Sequence, residues 1–521
     1  MTSLPFTPNA AASRGRAARS RGALVLALLC ACATTKGAKK DGEPEEKPRG
    51  VPTPASEQDL NVAPPGTPDS PFRAHKPAPL ATGATFHAPV PVERRLSNGA
   101  RLLVVENHAL PLVSVEVAIE AGVDEEPLDR RGLSGFVAAM LEEGTKKKSA
   151  LSLATAEEDL AAEIHARAGL DAVRVDLSAL KQTLPPALKL LAEVVREPAF
   201  RKADVERVRG ILLTRLAEKE GQPAMLARDE LSHLLYGDRH PWGLPSGGTP
   251  KSVSAVTARD LARFHGAWFV PNDAVIAVVG DVTADEAQRL VEAAFAGWKA
   301  HPLPARTPER FPAEGERAIA LADVPHASQS QVWIGWRAVP AKDPDAVPLL
   351  VANDVLGGLF TSRLNLNLRE DKAYSYGVFS HVDFNGDSGE IVARGGIVAA
   401  HTADAVVEME KELARFATGE VAPEELDRAR TALVRGLPAK LETNGAVASS
   451  LVDLVLEELP LDEYAKLPAL VGAVTAADTA RVAKKYVTPE RWPVVVVGPR
   501  SASEAALAKL GLGKLGLVAV E

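Results

Sequence analysis

Polar and apolar residues alternate along Val113–Ile119 (VSVEVAI), the period of a strand with one face buried. Arg101–Val105 (RLLVV) reads as a second strand. Apolar residues three or four positions apart predict amphipathic helices at 155–168, 184–196 and 204–219. Ahead of these lies Gly132–Thr145 (GLSGFVAAMLEEGT), a short helix with an unusually bare side. Positions i, i+3 and i+4 share one side of a helix, and here they are Gly135, Ala138 and Ala139. Glycine inside a helix costs up to about 1 kcal/mol relative to alanine, so Gly135 does not serve helix stability.

Part of the pattern recurs. Val256–Gly280 aligns without a gap on Val474–Gly498, with ten identities in 25 positions. Each copy reads as a capped helix, a turn at Pro271 or Pro489, and a buried apolar strand ending in Val-Val-Gly. A repeat of this length predicts duplicated units. We therefore expect an α+β fold of two homologous domains, 85–297 and 315–503, joined by the Pro-rich segment 298–314 and followed by a C-terminal tail, 504–521. Duplicated halves facing each other enclose a cleft, a common place for a ligand; a stacked pair with no cleft is the alternative.

The chain has 521 residues, of which 46% are hydrophobic, enough for more than one core. Its net charge of -8 lacks the basic footprint that phosphate neutralisation needs, so nucleic acid is not an expected partner. At the N-terminus Arg14, Arg16, Arg19 and Arg21 precede the apolar run Ala23–Ala31, which has signal-peptide length and is too short to span a bilayer. The run ends in Leu29-Cys30-Ala31-Cys32, similar to a bacterial lipobox with Cys32 as the residue lipidated after cleavage. An ordinary cleaved signal peptide is the other reading of 1–32. Residues 33–84 are rich in Pro, Lys, Glu and Gly and read as a disordered tether. The expected location is the bacterial cell envelope, on the periplasmic face of the outer membrane, because Ala33 and Thr34 lack an acidic retention residue. Both cysteines lie in this leader, which excludes disulfides, thiolate metal sites and a Cys nucleophile from the folded part.

From residue 88 to 500 the chain resembles the pitrilysin-type (M16) peptidases and the mitochondrial processing peptidase. The resemblance rests on several short segments in order: Asn98-Gly99-Ala100-Arg101, the Gly132–Thr145 helix, the loop Arg239-His240-Pro241-Trp242-Gly243, the repeated VTA...VVG segments, and Leu356–Leu364 leading to Leu368–Gly377. It implies two α/β-sandwich domains that form half of a clam shell. The family's catalytic motif is H-x-x-E-H, two imidazoles one helical turn apart that bind zinc and a Glu that activates water. Matched residue by residue, Gly135 and Ala139 stand for the histidines and Ala138 for the glutamate. The family's third ligand, a later Glu, falls at Thr214 or Arg215. No two of the 11 histidines are three or four residues apart, and catalytic zinc normally needs three protein ligands. No cofactor is expected in this chain.

Active relatives carry an Arg and a Tyr seven residues apart that bind substrate and stabilise the tetrahedral intermediate. Arg369 and Tyr376 match them here, with Tyr374 as a competitor for the second place. The resemblance thus implies a non-catalytic subunit whose partner has an intact H-x-x-E-H and the zinc, with unfolded peptide bound between the two. The alternative is a lipid-anchored scaffold or peptide-binding protein without a catalytic role. Gly357 and Gly358 permit a close turn before Arg369. Gly511–Gly516 (GLGKLG) matches a dinucleotide fingerprint only formally, as too little chain follows for a phosphate-binding helix, and is read as part of a loose tail.

Overall fold

The computed structural model describes residues 86–306, 311–312 and 317–518. The leader 1–32 with Cys32 and the tether 33–84 lie outside the described residues. Two six-stranded sheets carry the fold. The first is built from β1 Val92–Arg95, β2 Arg101–Glu106, β3 Leu112–Ile119, β4 Glu163–Ala168, β5 Val173–Leu180 and β6 Ala274–Gly280, in the order β1-β2-β6-β3-β5-β4. The second comprises β7 Ala318–Asp323, β8 Gln329–Ala338, β9 Ser375–Asn385, β10 Ser388–Val398, β11 Val494–Gly498 and β12 Lys514–Val518, in the order β12-β7-β11-β8-β10-β9.

The internal repeat sets the same position in both sheets. β6 and β11 run parallel to β2 and β7 respectively, and antiparallel to β3 and β8. Ahead of each lies a helix with the same cap: Thr257 Oγ1 accepts from the Asp260 amide at 3.2 Å, and Thr475 Oγ1 from the Asp478 amide at 3.1 Å. Each Asp carboxylate accepts the threonine amide in return, at 3.0 and 2.9 Å, which closes a capping box.

Every residue of β6 and β11 is buried, because both faces of each sheet are covered. One face packs on helices of its own half, around Phe136, Val137 and Leu191 in the first and Leu349, Leu413 and Phe416 in the second. The other face is covered by a helix from the opposite half. Helix Asn444–Leu456 lays Ala448, Leu451 and Val452 on Leu103, Val275 and Ala277 of the first sheet. Helix Pro223–Tyr236 lays Ala227, Leu231 and Leu235 on Ala320, Trp333 and Val495 of the second. Arg174 ties the seam, with Nη1 3.2 Å from buried Glu116 and Nη2 2.6 Å from Asp453. The connector is fastened as well: Trp298 donates to the Phe269 carbonyl at 3.0 Å, and Arg306 pairs with Glu125 at 3.1 Å and Asp273 at 2.8 Å.

Two expectations need correction. The helix expected at 155–168 is helix Ala150–Leu160 followed by β4. Ala161 takes a left-handed conformation (φ 47°) that ends the helix, and from there only alternate residues point to the core. The tail 504–521 is not loose over its described part. Helix Arg500–Leu507 reaches into it, and β12 adds in parallel to the edge of β7. Leu510, Leu512 and Leu515 pack on the second core, and Gly513, at φ 121°, lets the backbone pass where a Cβ would lie 2.2 Å from the Arg317 carbonyl. The helices at 184–196 and 204–219 form, as Leu184–Arg196 and Lys202–Glu220. No helix among the described residues is long and apolar enough to cross a membrane.

Candidate functional site

The exchange of helices leaves a cavity of about 790 Å³ between the halves. Gly135, Tyr236 and Trp242 line it from the first half, and Glu390, Glu457 and Tyr464 from the second. Helix Leu133–Leu141 brings Gly135 there. It starts from Gly132, at φ 86°, where a Cβ would lie 2.5 Å from the Gly247 carbonyl oxygen. Its first amides are held by Glu126, which accepts from Gly132 N at 2.8 Å and from Ser134 N at 2.7 Å, a carboxylate set at the positive end of the helix. Phe136, Val137, Met140 and Leu141 are buried in the first core, which fixes the rotation of the helix.

That rotation divides the bare side. A Cβ built on Gly135 meets no atom within 4 Å, so this position opens on the cavity. Ala138 is 2% exposed and Ala139 is packed against the same core, so these two are partly filled by packing. Helix Lys202–Glu220 packs against helix Leu133–Leu141 and carries Thr214 and Arg215, both exposed. The Thr214 hydroxyl donates to the Gly210 carbonyl at 3.0 Å, and a guanidinium offers donors only.

These residues do not fit a zinc ion. Gly135, Ala138 and Ala139 have no side-chain donor atom, Arg215 carries the wrong charge, and Thr214 is no zinc ligand by type. Among the described residues no group of three or more His, Cys, Asp or Glu could hold a metal ion.

Arg369 and Tyr376 lie elsewhere, and neither lines this cavity. Arg369 rests its guanidinium 4.4 Å above the Phe360 ring, with Nε 3.2 Å from Glu370. Tyr376 is 85% exposed at the start of β9. Tyr374 instead stacks on His401 at 4.4 Å and packs against the second core, a structural position. A Cβ on Gly357 would lie 2.4 Å from the Ser380 amide of β9, so glycine there lets the two segments touch. His240 accepts from the Trp242 amide at 3.1 Å and stacks on Phe311 at 5.0 Å. Burial, then Arg337 and Arg131, push its pKa down to about 4.

Sequence reasoning missed the carboxyls of the cavity. Burial pushes Glu390 up to about 7, with Asp383 adding to it, and pushes Glu457 up to about 7, with Asp453 adding to it. No spacing could have flagged them, since they meet the first half only through the helix exchange.

Residues 101–240 match the family model described as Insulinase (Peptidase family M16), and residues 255–433 the model described as Peptidase M16 inactive domain. The chain belongs to peptidase family M16. Over 419 residues this M16 chain is 26% identical to an uncharacterized zinc protease of Streptomyces coelicolor, covering 79% of this chain and 90% of that one. Over 422 residues it is 25% identical to the mitochondrial-processing peptidase subunit beta of Bos taurus, covering 78% and 83%. The crystal structure of a peptidase M16 inactive domain from Pseudomonas fluorescens superposes with a TM-score of 0.74 at 26% identity, covering 78% and 98%. A protease from Helicobacter pylori shares the fold at a TM-score of 0.72 and 20% identity, covering 79% and 100%. The inactive-domain match is consistent with a zinc-less member of the family.

Proposed function

We propose that this chain is the zinc-less subunit of a two-chain M16 peptidase that degrades or processes peptides. A second subunit with an intact H-x-x-E-H brings the zinc, and this one brings Arg369 and Tyr376. The observation that carries the reading is a mismatch within one chain. The positions matching the zinc motif hold no donor atom, while of the Arg and Tyr that match the family's substrate-binding pair Tyr376 is exposed, Arg369 is half-buried on Phe360, and neither lines their own chain's cavity. Groups so placed are available to another polypeptide. A guanidinium keeps its charge at every working pH and offers several donors, and a phenol offers one directed donor. Donors of this kind are suited to a carbonyl oxygen that gains charge during peptide hydrolysis.

The test is peptide cleavage by the mixed complex with Arg369→Ala. A large loss of turnover with assembly intact supports the subunit role. Unchanged cleavage favours the lipid-anchored scaffold instead. The lipobox supports attachment to the envelope through Cys32, at the periplasmic face of the outer membrane, and Cys32→Ala should then move the protein from the membrane to the soluble fraction.

A further inference from the structure

A second cavity, of about 390 Å³, opens on the first half and shares no lining residue with the one between the halves. Its wall is formed by Lys146 beyond helix Leu133–Leu141, by Glu197 and Phe200 beyond helix Leu184–Arg196, by helix Ala258–Trp268, and by Trp298 and Lys299 of the connector. The volume is that of a small-molecule site.

Charge in this pocket is unbalanced. Lys146, Arg196 and Lys299 line it without an ion-pair partner among the described residues, although Arg196 Nη1 donates to the Ala296 carbonyl at 3.0 Å. Glu197, which could offset them, already lies 3.0 Å from Lys147 Nζ. Between the cations the surface is aromatic: His265 stacks on Phe269 at 4.4 Å and meets Phe200 edge-on at 5.8 Å. His265 Nε2 donates to the Val195 carbonyl at 2.8 Å, and Nδ1 has no hydrogen-bond partner among the described residues. Burial pushes the pKa of His265 down to about 4; the Val195 carbonyl works against this, and the charge of Lys146 adds to the fall. The ring is therefore neutral, with Nδ1 a free acceptor beside the cations.

Two further observations set the pocket apart from the framework. In the other copy of the internal repeat, His265 and Phe269 correspond to Ala483 and Val487, so the shared helix-turn-strand unit does not require the two rings. Phe200 takes φ 45°, the left-handed region that a bulky residue rarely adopts, and such strain persists where the surroundings hold it. They do so here: Arg201 Nη2 donates to the Thr145 carbonyl at 2.6 Å and to the Lys148 carbonyl at 3.1 Å, and the Lys146 amide donates to the Glu197 carbonyl at 2.8 Å. A site built in advance loses little freedom when it is filled.

We propose that this pocket binds a small aromatic phosphate, its ring against Phe200, His265 and Phe269 and its phosphate among Lys146, Arg196 and Lys299. Unpaired cations on several sides call for more than one negative charge, which a phosphate monoester carries near neutral pH and a carboxylate does not. An N–H or O–H on the ring would find His265 Nδ1. The proposal is independent of the subunit role, since neither the zinc-motif positions nor Arg369 and Tyr376 line this pocket.

Isothermal titration calorimetry on the full chain tests it with naphthyl phosphate, naphthoate, naphthol and inorganic phosphate. Naphthyl phosphate should bind about tenfold tighter than each of the others. Lys146→Ala/Lys299→Ala, which alters two exposed side chains, should weaken naphthyl phosphate by about tenfold and leave naphthol unchanged. Phe200→Gly, which suits the left-handed backbone and whose fold is checked by its melting curve, should weaken both naphthyl phosphate and naphthol. Inorganic phosphate binding as tightly as naphthyl phosphate overturns the part given to the rings, and naphthoate doing so overturns the assignment to a dianion. Undiminished binding of naphthyl phosphate by the double lysine variant overturns the proposal by placing the site elsewhere, and no binding by the unaltered chain overturns it outright.

Discussion

The two halves share the order of five strands and one capped helix-turn-strand unit, yet the connection between corresponding strands has gone opposite ways. Between β3 and β4, helix Leu133–Leu141 turns Gly135 inward, onto the cavity between the halves. Between β8 and β9, the matching connection ends in Arg369, half-buried against Phe360, and the exposed Tyr376 follows at the start of β9. A duplicated scaffold can thus keep its framework while the corresponding connections of its two copies carry different side chains. The framework is set by burial on both faces of each sheet, which leaves the chemistry of the connections free to diverge.

The sharpest break of this comparison is at the outward end. Arg369→Ala in the mixed complex should lower peptide cleavage by about 10²- to 10³-fold, the loss typical of removing one oxyanion donor. Assembly, followed by size-exclusion chromatography, should not change. A next test addresses the framework. Leu231→Ala and Leu451→Ala each remove a side chain that one half lends to the other's sheet. Each should cost about 2–5 kcal/mol in urea unfolding, and each should lower the stability of both halves together. Separate transitions for the two halves would break the picture of reciprocal cover.

The inward side predicts a pH effect. Glu390, facing Asp383 and Arg228, and Glu457, facing Asp453, Lys440, Asp171 and Arg174, both have pKa values raised by burial from the ordinary 4.5 to about 7. The folded state therefore holds these protons more tightly than the unfolded chain. The contribution to stability is fully present below pH 4.5 and is lost as pH rises through about 7. Melting curves of Glu390→Gln/Glu457→Gln should fall less steeply over that range than those of the unaltered chain. The smallest effects sharpen the shared elements. Thr257→Ala and Thr475→Ala should each cost about 1 kcal/mol, equal in the two copies. Gly135→Ala should raise stability by up to about 1 kcal/mol, since its Cβ meets nothing and alanine is the better helix former.

Much of the framework was readable from residues alone. The 25-residue repeat marked β6 and β11, and the bare side of Gly132–Thr145 marked the helix that reaches the cavity. Other features were not readable, for physical reasons. Helices Pro223–Tyr236 and Asn444–Leu456 show apolar positions, but nothing in periodicity says that each covers the other half's sheet. For the same reason Tyr236, Glu390 and Glu457 carried no signal, being far apart in sequence. The end of the chain was misread because Gly511–Gly516 looks like loop, whereas Gly513 is there to bring β12 against β7. Ala138 and Ala139 were read as one open surface with Gly135, but rotation about the helix axis leaves only Gly135 on the cavity.

The most direct test of the central claim measures metal content and peptide cleavage together. The purified chain is assayed alone, and again with an M16 subunit that bears H-x-x-E-H. The account predicts no stoichiometric zinc and no cleavage by this chain alone, with cleavage by the mixture above that of the partner by itself. One zinc per chain together with peptide cleavage by the isolated chain would contradict it.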